Sequence, residues 1–256
     1  MKRINPIKPS KAVPSIFRWG ICLALALSAC QTATPAPQTF RLAATDLTAE
    51  LAADLVAAYR ETNSAPLVNV VAQPALAGEL AARNAEAALT ANAPPGFFTT
   101  PIAYVSFAVV INPNNPVSAL TLAQVQAIYA GQLTDWAQVG GSTGAVQVLA
   151  REDGSDGARA FNGAALNAVA ITPNAQVAAT WDAMRQLIQQ NSNAIGYLPN
   201  SEIDGTVKAL ALDAELRALI VAVAPTEPTG APRDFLVWAQ SEAGQTAVSR
   251  NFLSLP

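Results

Sequence analysis

The sequence predicts an α/β fold on a mostly parallel, buried sheet, and three observations lead there. Extended apolar runs alternate with amphipathic helical patterns all along the chain, the order of a strand–helix repeat. Hydrophobic residues make up 51% of the 256 and charged residues 13%, so a sizeable core can be buried. That length suits one large domain or two lobes of roughly 100 residues each. No internal repeat is visible.

Taken in order, Phe40–Ala43 is a short strand candidate. Thr45-Asp46-Leu47-Thr48 then offers several N-cap oxygens to a helix with Leu51, Leu55 and Tyr59 on one face. Leu67–Val71 reads as a strand, and Ile102–Ile111 is long and apolar enough to be a buried one. Asn112-Pro113-Asn114-Asn115-Pro116 is a turn cluster. Thr121-Leu122-Ala123-Gln124 is a capping box, opening a helix that runs through Tyr129 and closes at Gly131. Val146–Leu149, Ile195–Leu198, Val207–Leu212 and Leu219–Val223 complete the strands. Arg159–Asn167, Asn174–Gln190 and Asp234–Ser249 read as helices, the second with Val177, Trp181, Met184 and Leu187 or Ile188 on one face.

Charge and cysteine usage point to export. Residues 1–29 carry Lys2, Arg3, Lys8, Lys11 and Arg18 and no acid, a net of +5. The apolar run Ile21–Leu27 follows, then Ser28-Ala29-Cys30: a basic n-region, a short h-region and a small-residue cleavage site. That run is far shorter than the ~20 residues a spanning helix needs. Leu27-Ser28-Ala29-Cys30 is similar to a bacterial lipobox, which implies a signal peptide over 1–29 and a lipid on Cys30. An ordinary signal peptide with a nearby cysteine is the alternative. Gln31–Gln38 is a Pro/Thr-rich tether, so 30–39 is expected to be a lipid-anchored linker on the outer face of the cell membrane.

The composition also excludes chemistry. Beyond residue 29 stand 10 basic and 18 acidic residues, a net of −8 without a basic stripe, which repels a nucleic-acid backbone. The chain has no histidine, and its two cysteines are Cys22 and Cys30. Zinc and transition-metal sites, Ser-His-Asp and Cys-His catalysis therefore lack their ligands or their base. No metal, cofactor or catalytic residue is expected.

In a parallel α/β sheet, ligands bind beyond the carboxyl ends of strands, where helix N-termini offer free N–H groups to an anion. Two stretches have that order of strand, small or polar loop, then helix. In Ala44–Thr48 the hydroxyls either donate to a ligand or cap their own helix. Arg151-Glu152-Asp153-Gly154-Ser155-Asp156-Gly157-Ala158-Arg159 holds two guanidinium forks, a hydroxyl donor and glycines that let backbone N–H groups come close. Such a stretch makes an oxyanion pocket or a polar surface turn whose acids and bases pair.

Several motifs then occur in a familiar order: Asn112–Val117, Leu120-Thr121-Leu122, Ile128–Gly131, Thr134-Asp135-Trp136, Val139-Gly140-Gly141, Arg151–Ser155, Asn193–Tyr197, and a tail with Phe235-Leu236, Trp238, Ser241-Glu242 and Gly244-Gln245. Over about residues 40–256 the chain resembles PstS-like phosphate-binding proteins of ABC transporters, in the type 2 periplasmic-binding-protein superfamily. The resemblance implies two α/β lobes around an anion cleft, with crossovers near Val105–Ile111 and Ile195–Asn200. Lobe 1 is then 40–108 plus 200–256, and lobe 2 is 109–199.

It also implies site residues. The family's Arg-x-x-x-Ser-Gly-Thr loop falls on Arg151 and Ser155, with Asp156-Gly157-Ala158 before Arg159 in place of Gly-Thr. Alignment backwards from Arg159 instead puts Asp156 at the serine and Ala158 at the threonine. Either way a threonine hydroxyl is lost and a carboxylate gained. The first family loop falls on Ala44-Thr45-Asp46. A third falls near Leu89–Pro94, with Thr90 and Asn92 but no carboxylate. The expected ligand set is Thr45, Asp46, Thr90, Asn92, Arg151, Ser155, Asp156, Gly157 and Arg159, with Arg159 at one remove or paired with Asp153 or Asp156.

In phosphate-selective members a carboxylate accepts the proton of hydrogen phosphate, and sulfate has no proton to offer it. Asp46 or Asp156 stands where that role could pass to it. With both pointing away, phosphate selectivity goes; with both pointing in, any anion is repelled. The implied function is a monomeric receptor that carries phosphate to an inner-membrane ABC permease. Two alternatives keep other roles open. One is a non-transport anion sensor or partner-binding lipoprotein, or a receptor for sulfate, molybdate or tungstate. The other is a hydrolase using a pair among Glu152, Asp153 and Asp156.

Overall fold

Strand direction explains this architecture better than element count does. The computed structural model describes residues 40–61, 63, 67–70 and 75–256, and the body from residue 40 onward belongs to one compact unit. The signal segment 1–29, the linker 30–39 and Cys30 lie outside the described residues.

Three short strands, β1 (Arg41–Ala44), β2 (Leu67–Val70) and β3 (Ala87–Thr90), run parallel in the order β2-β1-β3. A second parallel block holds β6 (Gln147–Arg151), β7 (Gln176–Ala178) and β8 (Ala194–Pro199), in the order β8-β6-β7. Between the blocks stand two long strands, β4 (Phe98–Ile111) and β11 (Leu216–Ala224), which pair antiparallel with each other and with the block beside each. The small strand β9 (Lys208–Ala209) adds to β4, and β5 (Ala119–Leu120) pairs with β10 (Ala211–Leu212) apart from the main sheet. The sheet is therefore mixed, with parallel flanks and an antiparallel centre. Central strands buried on both faces read as apolar runs whichever way they point, so direction was hidden in the sequence.

The register aims both blocks at one place. Thr90 at the end of β3 lies opposite Val221, which itself lies opposite Pro101 of β4. β8 runs the other way, from Ile195 opposite Ile111 to Pro199 opposite Phe107. The carboxyl ends of β1 and β3, and those of β6 and β8, thus approach the middle of β4 from opposite directions.

Helices cover the sheet where periodicity places them. α1 (Ala49–Tyr59) buries Leu51, Leu55 and Tyr59, four residues apart on one stripe. Tyr59 meets Phe235 edge-on at 5.2 Å and Trp238 at 5.0 Å. α2 is Leu76–Ala81. α3 (Leu122–Tyr129) opens on the expected Thr121–Gln124 capping box. On the other side, Phe161 stacks on Tyr197 at 3.7 Å, with Tyr129 and Phe107 beside them.

Three helix boundaries differ from the periodic reading. α4 (Asp156–Phe161) starts at Asp156 rather than Arg159, because the Ser155 hydroxyl caps it, and a wide helical turn carries it on through Asn162–Leu166. α5 is Trp181–Gln190, capped by Thr180, because Gln176–Ala178 is taken as β7 alongside β6. The last helix divides into α6 (Ala231–Gln240) and α7 (Glu242–Val248). Ser241 both donates to the Trp238 carbonyl and caps α7, and Gly244 packs so close that a Cβ there would stand 2.3 Å from that carbonyl oxygen.

Candidate functional site

The loops after β1, β3 and β6 meet at the carboxylate of Asp156. Each arrives there for a local reason. After β1, the Thr45 N–H donates to Thr48 Oγ1 at 3.0 Å, and Thr48 Oγ1 donates to the Leu89 carbonyl at 2.8 Å. Thr48 thus ties the first loop to the end of β3, and neither threonine hydroxyl caps α1. This orientation frees the Thr45 hydroxyl to donate to Asp156 Oδ2 at 2.6 Å.

The end of β3 and the loop after it supply three more donors. Thr90 Oγ1 donates to Asp156 Oδ1 at 3.0 Å, and Asn92 Nδ2 to the same oxygen at 2.7 Å. The Ala91 N–H reaches both oxygens, at 3.1 and 3.2 Å. Asn92 also donates to the Asp156 backbone carbonyl at 3.2 Å, and its own N–H bonds Thr90 Oγ1 at 2.9 Å. Thr45, Thr90 and Asp156 are all fully buried. Four donors around two oxygens is the hydrogen-bonding an anionic carboxylate requires once it leaves water.

Arg151 stands at the end of β6 with 5% of its surface exposed. Its Nη2 pairs with Asp46, whose side chain is 40% exposed, and its Nη1 donates to the Ala178 carbonyl at 3.0 Å. The guanidinium lies 4.4 Å from the ring centre of Trp181, a cation–π contact. Its Nε is buried with no hydrogen-bond partner. The Arg151 N–H donates to Tyr197 Oη at 3.2 Å, and burial pushes the Tyr197 phenol above its ordinary range, so that hydroxyl stays protonated.

The two acids anticipated as anion contacts therefore both engage groups that were expected to bind an anion: Asp156 fills the donor cradle, and Asp46 takes the arginine. Ser155 Oγ accepts from the Ala158 N–H as the α4 cap, at 3.2 Å. Gly157 contributes space, since a Cβ there would stand 2.5 Å from the Trp181 ring. Arg159 is exposed and, among the described residues, makes no ion pair with Asp153 or Asp156. Of the two placements anticipated for Arg159, at one remove or paired with an acid, the pairing with Asp156 is not made because Asp156 is turned inward and already saturated. A cavity of about 460 Å³ lies beside Arg151, lined by Asn162, Val169, Ile171 and Val177 among others, outside the donor cradle.

Three contributors were not singled out from sequence. The Ala91 N–H carries no side-chain signature. Trp181 read as a core position on a helix face, which it also is. Thr48 stood in the Thr45-Asp46-Leu47-Thr48 run as a cap candidate, and its positioning role needs the Leu89 carbonyl across 41 residues.

Solved structures share this architecture. A protein from Clostridium perfringens, assigned as a phosphate ABC transporter substrate-binding protein and solved with bound phosphate, matches at TM-score 0.76 and 24% identity, over 86% of this chain and 100% of that one. An ABC-type phosphate transport receptor from Vibrio cholerae matches at TM-score 0.71 and 22% identity, over 85% of this chain and 100% of that one. The oxidized form of OxyR from Corynebacterium glutamicum matches at TM-score 0.60 and 16% identity, over 83% of this chain and 66% of that one. At such identities the likeness is one of fold, and that fold is the type 2 periplasmic-binding-protein architecture. The PBP superfamily domain matches residues 31–240, and the chain belongs to that superfamily.

Proposed function

We propose that this chain is an exported solute-binding lipoprotein that captures a tetrahedral oxyanion, phosphate foremost, and hands it to the permease of an ABC importer. The observation that carries this reading is the cradle itself. Two hydroxyls, a backbone N–H and a side-chain amide converge on a pair of anionic oxygens, with a buried arginine at the end of β6. Neutral donors fixed by the fold suit an oxyanion, because they compensate its lost hydration without needing to move. The phosphate bound in the Clostridium perfringens structure fits the same reading.

In this account residues 40–108 with 200–256, and 109–199, act as two lobes that close on the ion. Thr45, Thr90, Asn92 and the Ala91 N–H hold its oxygens, and Arg151 supplies charge. Cys30 carries the lipid that keeps the protein at the outer face of the membrane, where it works as a monomer. The site binds and releases, with no catalytic step.

Calorimetry with phosphate, sulfate, arsenate, molybdate and tungstate tests it. The expected result is saturable binding of phosphate that is abolished in the Thr45→Val/Thr90→Val double variant. No binding of any of the five, by the wild-type chain or by one relieved of its Asp156 carboxylate, overturns it in favour of a non-transport role.

A further inference from the structure

We propose that the Asp156 carboxylate is a built-in ligand, occupying the oxyanion cradle so that a solute anion binds only when Asp156 has swung out. The proposal rests on the receptor reading above. Its first support is saturation. A carboxylate has about four acceptor sites, and Asp156 receives Thr45, Thr90, Ala91 and Asn92 donors while remaining fully buried. No donor of the cradle is left facing an empty position that a solute could simply join.

Charge points the same way. Asp46, Arg151 and Asp156 together carry a net −1, and the one guanidinium is already committed to Asp46. A doubly charged anion added to that set meets two carboxylates and one cation. Like charges in a buried site are costly, so the anion must replace Asp156, not accompany it.

Connectivity supplies the third support. Asp156 opens α4, just after β6, and its partners stand in the loop after β1, at the end of β3 and in the loop that follows it. The carboxylate therefore bridges the two parallel blocks of the sheet, the link a solute would make in the same cradle. Such a tether weakens apparent affinity by the fraction of molecules in which it is released: at 1–10% released, phosphate binds about 10–100-fold more weakly than to the bare cradle.

The experiment compares the full-length wild type with Asp156→Ala and Asp156→Asn. Phosphate affinity is measured by calorimetry, and hydrogen exchange is followed at the Ala91 amide, which bonds Asp156 directly. Asp156→Asn keeps the side-chain shape and carries the comparison should the alanine variant not fold. Expected are an Ala91 amide that exchanges faster in the variants without phosphate, its protection restored by phosphate, and affinity raised about 10–100-fold. Tighter binding by the wild type than by both variants overturns the built-in ligand and leaves the receptor reading standing, with Asp156 a contact to the anion. An unchanged Ala91 exchange rate also overturns it. Faster exchange with no anion bound by any chain supports the carboxylate as the cradle's own occupant and overturns the receptor reading alone.

Discussion

The two halves of the site satisfy buried charge in different ways. Around Asp156 the compensation is neutral and geometric: two hydroxyls, a backbone N–H and an amide, each held by a loop that leaves a strand of the sheet. Around Arg151 it is ionic and aromatic: Asp46 on one side, the Trp181 face on another, a single carbonyl on a third, and Nε unmatched. The first half is complete without solvent. The second leans on a carboxylate that is itself 40% exposed. The cradle is therefore held by donors that the fold itself fixes, whereas the arginine half holds only while its ion pair is intact.

The largest effect should come from breaking that pair asymmetrically. Asp46→Ala strands a buried guanidinium and should cost about 2–3 kcal/mol, near the lower end for breaking a buried pair because Asp46 is partly solvated. Arg151→Met removes the buried charge, keeps an apolar stem against Trp181 and leaves Asp46 free to hydrate, for about 1 kcal/mol. Urea unfolding of the two variants reads the difference directly. Equal losses would show the pair to be dispensable and erase the contrast between the halves.

The cradle offers a sharper comparison. Thr45→Val keeps the β-branched shape and deletes the 2.6 Å hydrogen bond to Asp156, which should cost about 1.5–3 kcal/mol. In an Asp156→Ala background most of that cost should vanish, because the hydroxyl no longer has a charge to serve. A double-mutant cycle measures the coupling. Additive losses would mean that Thr45 acts mainly through its tie to Thr48.

Alkaline pH should reach the arginine half through its buried phenols. Burial raises the Tyr197 and Tyr129 phenols above the ordinary 10.0, so above pH 10 the unfolded chain gives up protons that the folded chain keeps. Stability should be flat with respect to these groups below that value and fall above it, by at most about 1.4 kcal/mol per pH unit for each tyrosine. Thermal unfolding between neutral and strongly alkaline pH checks the slope, and Tyr197→Phe should make it shallower.

Much of this was legible beforehand. The strand–helix alternation, the Thr121–Gln124 cap and the Leu51, Leu55, Tyr59 stripe follow from period and from capping chemistry, which act within a few residues. The residue types of the site were legible too: Thr45, Thr90, Asn92 and Arg151 stand at strand ends or in the loops that follow them, and Asp156 at the start of the next helix. The direction of β4 and β11, the breaks at Thr180 and Ser241, and the use of Trp181 as a platform were not, since each depends on what packs alongside.

By itself the sequence determined which donors, acids and cations are available and in what order along the chain. Only the tertiary structure decided their partners. Thr45 and Asp156 are 111 residues apart and Asp46 and Arg151 are 105 apart, and nothing local favours one acid over the other for the cradle or for the arginine. That choice was made by the register of two oppositely running parallel blocks across β4, which brings the loop after β6 against the loops after β1 and β3 and turns Asp156 inward.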